Sequence, residues 1–533
     1  MIQRPASYKK YIVSHKKFMT ITFIIPVIFM QLKPLCRLLG PKPHIADSPY
    51  LSLVPKTGSP GMSAKIDLST TSYYVVASVE MGNTTTKCIL TATNLETGKT
   101  YLLNKTVKMS RDVRPPKEGE KVFGKTLDGK KLTRESVGEL VKHTLEEAHK
   151  AAGLEISQDL NFVVRSTGVV AGFERPDDVG SFILALADGC IKAGVPPKNM
   201  TPAMNKENLN PPRLRKYSQL DRVFFDGAVA SVLPPMGSSG VEIVANEMEG
   251  ELATAGIKEA AKWAGVDFRN PVCSIDFGTT LKGRMTNDRQ PYSQTIGNFC
   301  GLAGAVPDAI VRGSGLVDKE FGNVLDITTK ERPGLLAEIM NDRAIEEHAK
   351  WAHEMVQIEV VPDERKWWGS VPVNPRAARN NGVILIGCEV GENGKDLPKL
   401  NEVGASLIKK HNVNTMLATL DLTSAMIAQR LLTKALENNL ISSKTTIGIT
   451  GRAGITGDKP ALILQKVTEM GLFDNPNDHL VFCDDGLARG AAVMARCMNS
   501  YGTPKNPLGG LRGGKCILGA RMKLQNKDKK IEV

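Results

Sequence analysis

Apolar positions along the chain follow two alternating rhythms, and their succession defines the first expectation for the fold. Residues 73–79 (YYVVASV), 86–93 and 98–108 are extended apolar runs parted by short polar turns, and 161–173 is a strand entering a glycine turn. Between them Val137, Leu140, Val141, Leu145 and Ala148 recur at three- and four-residue spacing, which predicts a helix over 133–151. Further strands are predicted at 272–277, 383–388, 414–420, 446–450 and 479–483. Helices are predicted at 249–264, 335–356, 401–411, 424–438, 459–470 and 486–499. Strands alternating with helices mark α/β architecture. With 533 residues, the chain can bury more than one core.

Charge changes the picture only at one end. Residues 1–61 hold nine Lys or Arg and one acid, a net of +8, so the other 472 residues carry only +5 of the total +13. No basic cluster there is interleaved with aromatics, so no nucleic-acid partner is expected. The apolar stretch 18–30 (FMTITFIIPVIFM) follows Lys9, Lys10, Lys16 and Lys17, the layout of a signal peptide or weak anchor. It is shorter than the ~20 apolar residues a spanning helix needs, and Pro26 interrupts it. Residues 1–61 are expected to be a disordered extension or a mis-called start ahead of Met62, with membrane contact only if that segment is genuine. Nine dispersed cysteines without a CxxC pair suit buried thiols in a reducing cytoplasm. The stretch 200–222 reads as a surface excursion or lobe-specific insertion, and 501–533 as a C-terminal tail, charged and frayed after Lys523.

Chemistry enters through a repetition. VASVEMGNTTTK from Val76 and CSIDFGTTLKGR from Cys273 both run apolar strand, acid, apolar residue, glycine, threonines, about 200 residues apart. In the first, Glu80 ends a strand, Gly82 permits a tight turn, and Asn83, Thr84, Thr85, Thr86 and Lys87 offer donors and charge to phosphate oxygens. Asp276, Gly278, Thr279 and Thr280 offer the same parts in the second. Two facing turns would grip a polyphosphate, with Glu80 and Asp276 flanking Mg²⁺ through water. A third element, TIGITGRAGITGDKPALIL (446–464), is strand, glycine-rich turn and helix. There Gly451 and Gly454 would let a purine lie on the backbone while Arg452 shields it. A fourth, FCDDGLARGAAVMARCM (482–498), carries Asp485 and Gly486 and the small residues of a close helix crossing.

In this order the elements resemble the acetate kinase, sugar kinase, Hsp70 and actin superfamily. Phosphate 1 corresponds to 80–87, the first connecting helix to 249–264, phosphate 2 to 276–280, the adenosine turn to 448–454 and the second connecting helix to 485–498. The resemblance implies a two-lobed, actin-like (ribonuclease H-like) ATPase fold with mixed sheets and an inter-lobe nucleotide cleft, binding ATP and Mg²⁺. Lobe I is then 62–248, and lobe II is 249–500 with an insertion near 301–380. Glu80 departs from the superfamily, which has Asp at that place.

The short turns look most like those of 2-hydroxyacyl-CoA dehydratase activators, which hold an iron–sulfur cluster between two protomers. That likeness implies a homodimer, with Cys300 in NFCGLAGAVPDAI as a cluster ligand. No second cysteine stands between Cys300 and Cys388, so a four-thiolate cluster in a symmetric dimer lacks half its ligands. As a whole, residues 62–533 look like the archaeal methanogenesis marker protein 14 family, through VEMGNTTTKCIL, SIDFGTTLKGRMTND and GITGRAGITGDKP. This implies a methanogen cytoplasm and a protein partner in methane metabolism. The leading expectation is an ATP-binding, ATP-hydrolysing activator or chaperone-like protein. A small-molecule kinase, with Asp226 as candidate base, and a non-catalytic nucleotide-sensing scaffold are the rivals.

Overall fold

The first three apolar runs become an antiparallel meander of β1 (Tyr73–Met81), β2 (Thr85–Asn94) and β3 (Thr100–Met109) in the computed structural model. The structure describes residues 42–47, 49–51, 72–169, 173, 175–200, 241–288, 295–328, 334–336, 339, 342–361, 375–380, 382–387 and 389–498, with short strand pieces at 203–204, 223–224, 228–230, 367–368 and 371–372. Helix α1 (Arg134–Ala152) begins where the Thr133 hydroxyl accepts from Ser136 N, and stops at Gly153 in the left-handed region (φ 67°). Its Val137, Val141, Leu145 and Ala148 are fully buried in the lobe I core. β4 (Phe162–Thr167) lies parallel to β1, α2 (Pro176–Lys192) follows, and β5 (Ala228–Ala230) lies parallel to β4. The sheet order is β5-β4-β1-β2-β3.

Helix α3 (Val241–Ala264) then leads into the second lobe, where the plan repeats. β6 (Val272–Phe277), β7 (Leu281–Thr286) and β8 (Thr295–Gly301) form another antiparallel meander. After α4 (Val306–Gly313) and α5 (Arg343–Glu354), β9 (Val383–Gly387) pairs parallel to β8. Helices α6 (Leu397–Lys410) and α7 (Val413–Glu437) precede β10 (Thr446–Thr450). Then come α8 (Lys459–Glu469), β11 (Leu480–Cys483) and α9 (Gly486–Met498). The central five strands run β11-β10-β6-β7-β8, with β10 and β11 parallel, the same order and sense as in lobe I. Two copies of one mixed sheet, joined by helices, make this the two-lobed actin-like fold expected.

Three expectations are corrected. The strand expected at 414–420 is the first half of α7: Asn412 caps it by accepting from Thr415 N, and Thr419 and Thr423 donate their hydroxyls to the carbonyls of Thr415 and Thr419. The helix is buried on several faces, so its apolar run has no amphipathic rhythm to betray it. α3 starts at Val241, which puts the expected lobe boundary at 248/249 inside a helix, and α9 packs Ala488 against Ile89 and Leu102 of lobe I. Residues 42–47 and 49–51, expected in the disordered or mis-called extension, belong to the fold: Ile45–Ala46 pairs parallel to β11, and Tyr50 bridges to Leu102. The apolar stretch 18–30, the tail 501–533, most of the 200–222 excursion and Asp226 lie outside the described residues. Among the described residues, no helix is long and apolar enough to cross a membrane.

Candidate functional site

Each lobe ends a central strand on an acid and sets a lysine across from it. In lobe I the strand register pairs Glu80 of β1 with Lys87 of β2 on one side and Ser166 of β4 on the other. In lobe II it pairs Asp276 of β6 with Lys282 of β7 and with Thr450 of β10. Lys87 Nζ stands 3.5 Å from Glu80 Oε2, and Lys282 Nζ stands 3.5 Å from Asp276 Oδ2. The sequence repeat is thus a repeat of position in two equivalent sheets.

The turns beyond these acids face each other. Gly82 N donates to Thr85 O at 2.9 Å, and the Ser110 hydroxyl donates to Gly82 O at 2.7 Å, which fixes the first turn. The Thr84 and Thr279 hydroxyls are 2.7 Å apart, and Asn83 Nδ2 donates to Thr280 Oγ1 at 3.3 Å. The turn tips therefore touch, where the sequence had suggested an open gap between them. Beneath them is a cavity of about 270 Å³. It is lined by Glu80, Gly82, Asn83, Thr84, Thr85 and Lys87 from one lobe and Asp276, Gly278, Thr279 and Thr280 from the other, with Gly451, Arg452, Asp485 and Gly486 closing it.

Three predicted residues stand elsewhere. Thr86 is fully buried and its hydroxyl is 3.0 Å from that of Ser110, because the β-strand alternation turns it away from the cleft. Gly454 makes room for core side chains: a Cβ there would lie 2.6 Å from Ile449 Cγ2 and 3.2 Å from Phe277 Cβ. Cys300 is buried in β8 within an apolar cluster with Val361, Ala378 and Val383. Its thiol is in no disulfide, and among the described residues no group of three His, Cys, Asp or Glu side chains could hold a metal. Gly451 does need to be glycine, since its φ is 88° and a Cβ would lie 2.5 Å from Asp276 Oδ1.

Four residues were missed. Lys282 is shared between Asp276 and Glu249, the latter reaching in from α3, and all three side chains are buried. Asp308 of α4 accepts from Thr84 Oγ1 at 3.3 Å, from Arg452 Nη2 at 3.3 Å and from Val324 N at 2.9 Å, so Arg452 pairs with an acid where shielding of a purine was expected. Arg452 Nη1 is buried with no hydrogen-bond partner. Lys105 pairs with Asp485 at 2.7 Å. Lys282 was legible, since it follows the second acid much as Lys87 follows the first. Nothing in the local pattern marks Glu249 or Asp308. A second cavity of about 420 Å³ shares Leu325, Arg452 and Thr456 with the first.

Burial and charge oppose each other throughout the site. Burial pushes the Glu80 carboxyl up, but Lys87, Lys282 and Lys105 together outweigh it and leave it below its ordinary value. Burial also pushes Asp276 up, and with Glu80 nearby the pull of Lys282 does not reverse it. Asp485 is likewise raised by burial against the pull of Lys105. The lobe-linking helices meet beside this site: a Cβ on Gly256 of α3 would lie 1.7 Å from Gly486 O, and one on Gly490 of α9 would lie 1.9 Å from Leu252 O. That backbone-to-backbone crossing is the one predicted from the small residues of 482–498.

Residues 73–525 match the model of a family described as an uncharacterized protein conserved in archaea (DUF2114), and the chain belongs to that family. It is similar to an uncharacterized protein of Methanothermobacter thermautotrophicus, 52% identical over 543 residues, covering 98% of this chain and 99% of that one. An uncharacterized protein of Methanocaldococcus jannaschii is 55% identical over 461 residues, covering 86% of this chain and 93% of that one. Among solved structures the chain resembles a reductive activator for corrinoid, iron–sulfur protein, at 12% identity and a TM-score of 0.34, over 81% of this chain and 63% of that one. So loose a likeness does not bear on what the chain does.

Proposed function

Taking membership of this archaeal family as the premise, we propose that the chain binds Mg·ATP in the cleft between its lobes and hydrolyses it slowly. Lobe closure and its release would change the surface offered to a protein partner. The observation that carries this reading is the convergence of two equivalent acid–lysine strand ends on one cavity. In this reading Lys87, Lys282 and the amides and hydroxyls of the two turns bind the phosphates, since a phosphate chain needs positive charge and oriented donors from both sides. The nucleoside end runs toward Arg452 and the adjoining cavity.

The donors suit Mg²⁺. It takes one or two carboxylates together with water and phosphate oxygens, and Glu80 and Asp276 supply two hard oxygen ligands on facing strand ends. Bound there, the ion would neutralise charge on the phosphates. The net downward shift of Glu80 keeps it ionised at neutral pH and available to the cation. Its longer arm, compared with the superfamily's Asp, favours slow turnover.

Methane metabolism as the setting is also part of the proposal, and the genera Methanothermobacter and Methanocaldococcus of the two relatives support it. The reading involves no cluster at Cys300, which packs in the core of lobe II. A second reading, a small-molecule kinase, assigns the 420 Å³ cavity beside the phosphate site to an acceptor in place of the nucleoside end. Measuring ADP formation and free phosphate from ATP, with and without a metabolite panel, separates the two. Slow, acceptor-independent release supports the activator, and turnover that requires one metabolite supports the kinase. Tight ATP binding with no turnover, unchanged by Glu80→Asp, would instead mark a nucleotide-sensing scaffold.

A further inference from the structure

Helix α3 joins the lobes and touches the phosphate site through one side chain. Glu249 is fully buried; its Oε1 accepts from Lys282 Nζ, and its Oε2 is buried with no hydrogen-bond partner. On the other side Lys282 Nζ stands 3.5 Å from Asp276 Oδ2. Two residues along both elements, Glu251 of α3 pairs with Arg284 of β7, so helix and strand are joined twice in parallel. An ammonium has three donors. Glu249 and Asp276 take two, which leaves one for the cavity that Lys282 lines.

A glutamate is a costly way to pack this helix. Burying a carboxyl beside two others, Glu80 and Asp276, is unfavourable unless the shared cation must be held in one place. Without Glu249, nothing in the described contacts would keep Lys282 from collapsing onto Asp276. There it would occupy the carboxylate that the nucleotide reading assigns to the metal.

We propose that Glu249 is a positioning residue, holding Lys282 between α3 and Asp276 so that the lysine meets the entering phosphate while Asp276 keeps an oxygen open to the cleft. This rests on the nucleotide reading above. It also makes α3 the element whose placement reports phosphate contact, because the same helix carries Glu259, which pairs with Arg489 of α9 and accepts from Thr100 N of lobe I.

The test is a double-mutant cycle on the full chain with Glu249→Ala, Lys282→Met and both together. It reads the Mg·ATP dissociation constant by calorimetry and kcat by phosphate release. Glu249→Ala is expected to weaken binding and lower kcat by about tenfold each, the loss of one well-placed charged contact. The double variant should be no worse than Lys282→Met alone within about twofold. Glu251→Gln, on the same helix but paired with Arg284, should lower the melting temperature and leave both constants unchanged. If the alanine variant does not fold, Glu249→Met, which keeps the length and removes the acceptor, carries the same cycle. Losses that add fully, or a Glu249 variant that behaves like Glu251→Gln, overturn the inference and leave the nucleotide reading standing. Wild-type protein that binds no ATP overturns both.

Discussion

The hydroxyl of Thr84 lies 2.7 Å from that of Thr279, so the two phosphate turns touch across the cleft. Other pairs hold the lobes together beside them: Arg111 with Asp326 through two bonds of 2.7 and 2.6 Å, and Arg312 with Asp128 at 2.8 Å. A neutral hydroxyl pair of this kind contributes about 1 kcal/mol. Thr279→Val should lower unfolding free energy by no more than about that amount, Thr84→Val by more because it also loses its 3.3 Å bond to Asp308, and the double variant should add little to Thr84→Val. Urea unfolding of the four proteins checks this.

Gly451 should tolerate no side chain. Its φ of 88° is strained for any L residue, and a Cβ would meet Asp276 Oδ1 at 2.5 Å. Gly451→Ala is expected to cost about 1–3 kcal/mol, and to weaken ATP binding because Asp276 must move aside. Thermal unfolding and nucleotide titration of the variant measure the two effects separately.

Burial drives the Glu249 carboxyl from its ordinary 4.5 up to about 8, against the pull of Lys282 and with Glu80 and Asp276 adding to the rise. The folded protein therefore holds a proton that the unfolded chain has released. Stability from this group is fully present below 4.5 and is lost as pH climbs through about 8. Wild type should lose stability relative to Glu249→Gln across that window, read as the difference in urea midpoints. A difference that stays flat, or that runs the other way, would show that the carboxyl titrates normally.

The segment ahead of Met62 should matter to stability. Phe482 N donates to His44 O and Arg489 Nη2 to Ala46 O on lobe II, while Leu51 N donates to Leu102 O on lobe I. The segment 44–51 thus spans both lobes. A chain beginning at Met62 loses these bonds and leaves the Arg489 guanidinium short of an acceptor beside Glu259. Its melting temperature should fall by about 2 °C, as expected for a loss of about 2 kcal/mol in a protein of this size.

Much of this molecule was legible because its strands are buried on both faces and bounded by turn residues. The strands at 272–277 and 446–450 coincide with β6 and β10, and the twin motifs proved to be twin positions in two sheets. What escaped was set by packing at a distance. The 414–420 run has strand-like residues, but it is helical because α7 is enclosed by the lobe II core. Glu249 and Asp308 reach the site only through the docking of α3 and α4, which no local periodicity encodes. Gly454 and Thr86 sit in motifs with the right spacing, but their directions are fixed by neighbours, Ile449 and Phe277 in one case and Ser110 in the other.

The most direct test of the phosphate grip is calorimetric titration of Mg·ATP into wild type and Lys87→Glu. Lys87 is 30% exposed but pairs with the largely buried Glu80, so the variant's melting temperature is read beside its affinity. The account predicts one nucleotide per wild-type chain and a loss of at least about a hundredfold in affinity in the variant, roughly 2.7 kcal/mol. ATP bound equally well by both proteins, or by neither, would contradict it.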